Sequence, residues 1–176
     1  MRIIGGSHKR RIIHAPESLP VRPTTDIAKE ALFNVLNNHF DFEGLNVLDL
    51  FAGTGNISYE FASRGAAEVV AVDQHPRCVS FINETRLMLS LDNLKVIRSD
   101  VFRFLGYARQ GFDVIFADPP YDIQGFEQIP RVVFERQLLA PKGWLIVEHP
   151  AEISFEDHEH FLEKRKYGKV NMSFFG

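Results

Sequence analysis

Five short apolar runs, separated by helix-like stretches, constrain the fold of this chain more than any other feature. They are Asn46 to Phe51, Glu68 to Asp73, Leu94 to Arg98, Phe112 to Asp118 and Trp144 to His149. Their apolar character is nearly continuous rather than alternating, the pattern of strands buried on both faces. The segments near Ile57 to Arg64, Pro76 to Leu91 and Phe126 to Leu138 are long enough for crossover helices. The fold class expected is therefore α/β, a doubly wound and mostly parallel sheet of Rossmann-like type. Phe161 to Tyr167 and Lys169 to Phe175 flank Gly168 and predict an antiparallel hairpin at the C-terminal edge.

Ahead of the first run, Ile27, Ala28, Ala31, Leu32, Val35 and Leu36 recur at helical spacing and predict an amphipathic helix over Asp26 to Asn38. Thr24 and Thr25 are its candidate N-caps, and Arg22-Pro23 leads in through an extended backbone. No repeat or second domain is visible. Residues 1–176 are expected to form one domain, in which 1–25 is a basic arm or hairpin.

At 45% hydrophobic and 24% charged content, the 176 residues carry enough apolar material for a core, which excludes a disordered chain. The single cysteine, Cys78, cannot close an intrachain disulfide, and with scattered histidines it falls short of a zinc site. No metal is expected. Without an apolar run of about 18 residues or a leader-like start, the chain is expected to be cytoplasmic, with no membrane contact. The formal net charge is −3, but residues 1–22 set Arg2, Lys9, Arg10, Arg11 and Arg22 against Glu17 alone. A basic lip on an acidic body suits contact with phosphates, though a solvated tail has the same composition.

The first run passes directly into Phe51-Ala52-Gly53-Thr54-Gly55 and then a helix, the tight turn that brings backbone close to a ligand. Ser58 stands where a dinucleotide fingerprint has its third glycine, which disfavours a nicotinamide or flavin. Asp73 closes the second run, where an acid can accept from ribose hydroxyls, and Asp100 closes the third, within reach of an adenine amino group. Asp49 suits an ammonium. Three carboxylates at three strand ends imply a nucleoside ligand with positive charge rather than a pyrophosphate. Each has a plainer alternative, since Asp73 or Asp100 could simply cap the next helix.

Asp118-Pro119-Pro120-Tyr121 follows the fourth run. Two prolines stiffen the backbone and remove two amide donors, so the loop is expected to present acceptors, with carbonyls directed outward. Tyr121 offers a ring for stacking on a base. An exocyclic amine is a poor nucleophile because its lone pair is delocalised. Two acceptors on its hydrogens favour the rehybridised nitrogen of a transition state.

The glycine turn with Asp118-Pro119-Pro120-Tyr121 resembles the class I S-adenosylmethionine-dependent methyltransferases that act on exocyclic amines. Met1-Arg2-Ile3-Ile4-Gly5-Gly6, Arg22-Pro23-Thr24-Thr25-Asp26 and Glu30-Ala31-Leu32-Phe33-Asn34 narrow the similarity to the RsmD family, which methylates guanine N2 of 16S ribosomal RNA. Arg10 stands where that family's Lys-Gly-Arg has glycine, a departure that bears on the backbone of the arm.

The resemblance implies that Gly53, Thr54 and Gly55 cradle the methionine part of S-adenosylmethionine, with Asp49, Phe51 and Ala52 beside them. It places Asp73 and Gln74 at the ribose, and Asp100 and Val101 at the adenine. Asp118 and the Pro119 carbonyl would bind the target amine, with Pro120 shaping the loop and Tyr121 stacking on the base. Arg2, Lys9, Arg10, Arg11 and Arg22 would engage phosphates of 16S rRNA or of an assembling small subunit, with the protein a monomer. The alternatives are an adenine-N6 methyltransferase on DNA or RNA, a protein-glutamine methyltransferase, and a non-catalytic RNA-binding scaffold that keeps the cofactor pocket. His158 and His160 read as a solvated charged stretch, Cys78 as a small buried residue, and Glu148-His149-Pro150 as a strand end that could line the substrate side.

Overall fold

A computed structural model describes residues 1–21, 25–109, 111–120 and 122–176. The helices are α1 (Asp26–Asn37), α2 (Asn56–Ser63), α3 (Pro76–Met88), α4 (Val101–Tyr107) and α5 (Ile129–Glu135). The strands are β1 (Asn46–Leu50), β2 (Glu68–Asp73), β3 (Leu94–Arg98), β4 (Phe112–Ala117), β5 (Leu139–His149), β6 (Phe161–Tyr167) and β7 (Val170–Phe175). They form one sheet in the order β3-β2-β1-β4-β5-β7-β6, parallel from β3 to β5 and antiparallel through β7 and β6. The winding direction reverses between β1 and β4. At such a point the loops leaving neighbouring strands diverge to opposite sides and open a crevice.

Buried residues of β1, β2, β4 and β5 alternate between two core layers. Val47, Val69, Val114 and Ile146 face α1, α2 and α3, while Leu48, Val70, Ile115 and Leu145 face α4 and α5. Both faces of the parallel part are covered, as the continuous apolar runs predict.

Three elements depart from the sequence reading. β5 begins at Leu139, five residues ahead of Trp144, with a register shift against β4 between Phe112 and Val114. The helix expected over Phe126 to Leu138 is a 3-10 turn at Phe126–Gln128 followed by α5. α4, a single two-turn helix capped by the Asp100 side chain, stands where no helix was expected. In α1, Thr25 is the N-cap, accepting from the Ala28 amide, whereas Thr24 lies outside the described residues. Ile27, assigned to the apolar stripe, is 80% exposed, and Lys29 is buried in its place.

The arm is docked rather than solvated. The Ile3 amide donates to the Arg11 carbonyl at 2.9 Å, and the Ile13 amide to that of Met1 at 2.9 Å, so the segment doubles back on itself. Gly6 has φ +75°, and a Cβ there would lie 1.8 Å from the Ser63 carbonyl oxygen of α2. Arg10 has a left-handed backbone, φ 74°, a conformation that glycine adopts freely and that costs an arginine about 1 kcal/mol.

One carboxylate holds these parts together. Glu60 of α2 is fully buried and accepts the Ile4 amide at 2.9 Å and the Gly5 amide at 2.7 Å. It pairs with Arg64 at 2.9 Å and with the buried Lys29 of α1 at 3.4 Å. Lys29 in turn donates to the Arg2 carbonyl and to Asn56 Oδ1. Burial lowers the Lys29 pKa, opposed by Glu60. Removing one member of such a network leaves an uncompensated buried charge. Glu60→Ala is expected to cost about 3–5 kcal/mol in chemical denaturation and to speed tryptic cleavage at Lys9 to Arg11. Unchanged stability and cleavage would show that the arm is held by other contacts.

Candidate active site

The chain leaves β1 through three left-handed residues, Phe51 (φ 60°), Gly53 (φ 56°) and Gly55 (φ 79°). At Gly55 a Cβ would stand 2.7 Å from the Tyr59 ring, so that ring can pack against the turn only over glycine. The Gly53 amide donates to Asp73 Oδ2 at 2.8 Å, and the His75 amide to Asp73 Oδ1 at 2.8 Å. Asp73 thus fixes the turn to the end of β2, and acceptor capacity remains on each oxygen.

Across the reversal point, β4 ends at Ala117 and Asp118 begins the next loop, its amide 3.4 Å from the Leu50 carbonyl. Pro119 is buried and Pro120 exposed. The Pro120 carbonyl accepts from the Ile123 amide at 3.0 Å. This corrects the expectation that both proline carbonyls face outward, because one closes a turn that shapes the loop.

Both loops line a single cleft of about 860 Å³. Asp49, Asp73, Asp100, Asp118 and Glu148 all reach it, and Pro20, Val21 and Thr25 close it from the arm side. Asp49, on β1, receives the Ser58 hydroxyl and is almost fully buried. Burial pushes the Asp49 and Asp118 carboxyls up to about 7 and that of Glu148 up to about 8. The Asp118 charge adds to the rise at both Asp49 and Glu148.

Most of the residues singled out in the sequence converge here. Phe51, Ala52, Gly53, Thr54, Gln74, Val101, Pro119 and Pro120 line the cleft, while Gly55 packs against Tyr59 behind it. Asp100 lines it and also caps α4, accepting from the Arg103 amide at 2.9 Å, so its two alternative readings hold together. Tyr121 and Arg22 lie outside the described residues. Arg2, Lys9, Arg10 and Arg11 are exposed on the arm, with Arg2 3.8 Å from Asp26. Cys78 is buried, its thiol pushed up to about 11 by burial. His160 stacks on Phe134 at 3.9 Å between ring centres and belongs to an aromatic cluster.

Three residues of the site carried little weight in the sequence. Asn56 lines the cleft and ties it to Lys29, and Lys29 shares the buried stripe with Leu32, Phe33 and Leu36. A lysine at i, followed by apolar residues at i+3, i+4 and i+7, was the available signal. Glu148 is only 6% exposed and its Oε2 has no hydrogen-bond partner among the described residues. A glutamate ending an apolar run at the mouth of a parallel sheet was its signal.

Fold and cleft together define a class I methyltransferase architecture. A family model described as Conserved hypothetical protein 95 matches residues 1–176, and the chain belongs to that family, the RsmD-type methyltransferases. It is 34% identical to "Putative rRNA methyltransferase YlbH" of Bacillus subtilis, over 99% of this chain and 98% of the relative. It is 30% identical to Ribosomal RNA small subunit methyltransferase D of Escherichia coli K12, over 86% of this chain and 76% of that protein. Among solved structures, the hypothetical protein TTHA0928 of Thermus thermophilus superposes with a TM-score of 0.86 at 28% identity, covering 99% of this chain and 98% of its own.

Because the folded-state pKa values of Asp49, Asp118 and Glu148 lie above their ordinary values, the folded protein binds more protons than the unfolded chain between about pH 4 and pH 8. This contribution is fully present at the acid end and is lost as pH rises through 7 to 8. The ligand-free melting temperature is expected to fall from pH 6 to pH 8, and Asp49→Asn to reduce that fall. A melting profile that rises over this interval, or is unaltered in Asp49→Asn, would contradict the assignment.

Proposed function

We propose that this protein transfers the methyl group of S-adenosylmethionine to the exocyclic N2 of a guanine in small-subunit 16S ribosomal RNA. The observation that carries the reading is the shared cleft, into which the glycine turn after β1 and the Asp118-Pro119 loop after β4 both open. The residues fit the cofactor. Buried carboxylates held up by desolvation and mutual repulsion gain from a cationic ligand and would repel a phosphate.

S-adenosylmethionine supplies an electrophilic methyl on a sulfonium. The Gly53 and Thr54 backbone would hold the methionine portion, with Asp49 toward its ammonium, while Asp73 and Gln74 would take the ribose and Asp100 and Val101 the adenine. Asp118 and the Pro119 carbonyl accept the two N2 hydrogens and turn the nitrogen lone pair toward the methyl carbon. The methyl that the cofactor would supply leaves a neutral thioether behind, so the leaving group asks no proton of the chain. The surplus proton passes from the nitrogen to Asp118, whose pKa of about 7 suits both accepting and releasing it. Tyr121 is assigned to stacking on the base.

A guanine inside a helix has to leave its stack to reach this cleft. The arm supports an RNA substrate, because Lys9, Arg10 and Arg11 are exposed on the same segment whose Pro20 and Val21 line the cleft. Phosphate contacts of this kind are salt-dependent and do not read sequence.

Asp118→Ala is expected to retain S-adenosylmethionine binding by calorimetry while methyl transfer falls by about 10²-fold or more, the scale lost with a group that acts in the transition state. Undermodified small subunits methylated with labelled cofactor should carry the label on guanine N2. Label on adenine N6 or on protein, or transfer unaffected by Asp118→Ala, would overturn the proposal. The paired substitution Lys9→Ala and Arg11→Ala should weaken RNA binding and lower the slope of log K against log salt by about 1.5, with cofactor affinity unchanged.

A further inference from the structure

Glu148 is a buried carboxylate of the cleft that the scheme above leaves without a task. It sits on β5, beyond β4 from the glycine turn, so Asp118 lies between it and Asp49 in strand order. Parallel register pairs Ala117 with Val147, which sets Asp118 and Glu148 side by side as the next residues of neighbouring strands. Glu148 Oε2 is buried without a hydrogen-bond partner among the described residues, although the residue lines the cleft. A buried acceptor in that condition bears its full desolvation cost unless a ligand completes it.

The backbone beneath it is fixed. His149 is tied through Nδ1 to the Pro150 carbonyl at 2.9 Å and through Nε2 to the Ser173 hydroxyl at 2.8 Å, and β7 pairs Met172 with Glu148. The unsatisfied oxygen is therefore carried on a strand whose backbone is held by its neighbour.

Guanine presents two neighbouring donors on one edge, the N2 amino group and N1–H, whereas adenine presents a bare lone pair at N1. With the cationic methyl donor bound, which favours their ionised forms, two carboxylates side by side match the first edge, and one of them repels the second. We propose that Glu148 accepts the N1–H of the guanine whose N2 is held at Asp118, and thereby selects guanine over adenine. The inference rests on the guanine-N2 reading above and adds the residue that reads the base. Glu148 is a specificity residue that touches the substrate, distinct from the groups that hold the methyl donor.

The probe is 2-aminopurine, which keeps the 2-amino group but lacks N1–H. Small-subunit RNA is prepared with guanine or 2-aminopurine at the nucleotide located by label mapping, and transfer rates are compared for the parent protein, Glu148→Met and Glu148→Gln. Met removes the acceptor at similar volume, and Gln keeps an amide oxygen at the same position. Both variants are first checked for folding and for S-adenosylmethionine binding by calorimetry.

The parent's preference for guanine over 2-aminopurine is expected to exceed that of Glu148→Met by about tenfold or more, the scale of one hydrogen bond to a charged group, with Glu148→Gln in between. A merely structural role would slow both substrates equally and leave the ratio unchanged, which would overturn the inference. Absence of label on N2 in the guanine RNA with the parent protein would instead overturn the broader reading, so the two failures are separable.

Discussion

The buried carboxylate of Glu60 is the interaction on which the remaining architecture depends. From the middle of α2 it satisfies two amides of the arm and two cations, one from α1 and one from the residue that caps its own helix. Arg64 gains a second support by lying over Phe33 and Phe42 at 4.7 and 5.1 Å. Desolvating these charges is costly, and such a network is favourable only when every member is satisfied. Here Lys29 reaches Arg2 and Asn56 as well, so the same set of contacts runs from the arm to the start of the helix that follows the glycine turn. Docking of the arm and the shape of the cleft are therefore parts of one polar core.

The cleft applies opposite logic. Asp49, Asp118 and Glu148 are desolvated without an ion-paired cation among the described residues, and their raised pKa values record the cost. Stability is given up locally at a point where a cationic ligand and an amine substrate recover it, which is how functional sites commonly depart from the rest of a fold. Asp73 is the exception, since it uses one contact from each oxygen to hold the turn and serves both structure and site.

Much of this arrangement was legible in the sequence. The strand runs at 46–51, 68–73 and 94–98 match β1, β2 and β3 closely because a buried parallel strand leaves an unmistakable apolar run. The glycine turn and Asp118-Pro119-Pro120 were visible because their local backbone demands particular residues. Packing decided what was not. Lys29 reads as polar, yet it is buried because Glu60, far along the chain, neutralises it. Ile27 reads as core but faces outward, while Ala28 and Lys29 of the same turn are buried. α4 was missed because its seven residues are too few to establish a helical period. Glu148 was read as a strand end that could line the substrate side, but its place beside Asp118 was not legible, since that is a fact of register and not of local pattern.

The crevice between β1 and β4 also carries an entropic consequence. Asn46 donates to Asp113 Oδ2 across 67 residues of chain, and the adjoining β1–β4 pairs span similar separations. Contacts so distant in sequence carry a larger loop-closure entropy than those of the β6–β7 hairpin, whose strands are joined by a short turn. The binding crevice is thus the part of this sheet whose two rims are joined only by closing a long stretch of chain, and forming it costs more conformational entropy than forming the edge hairpin.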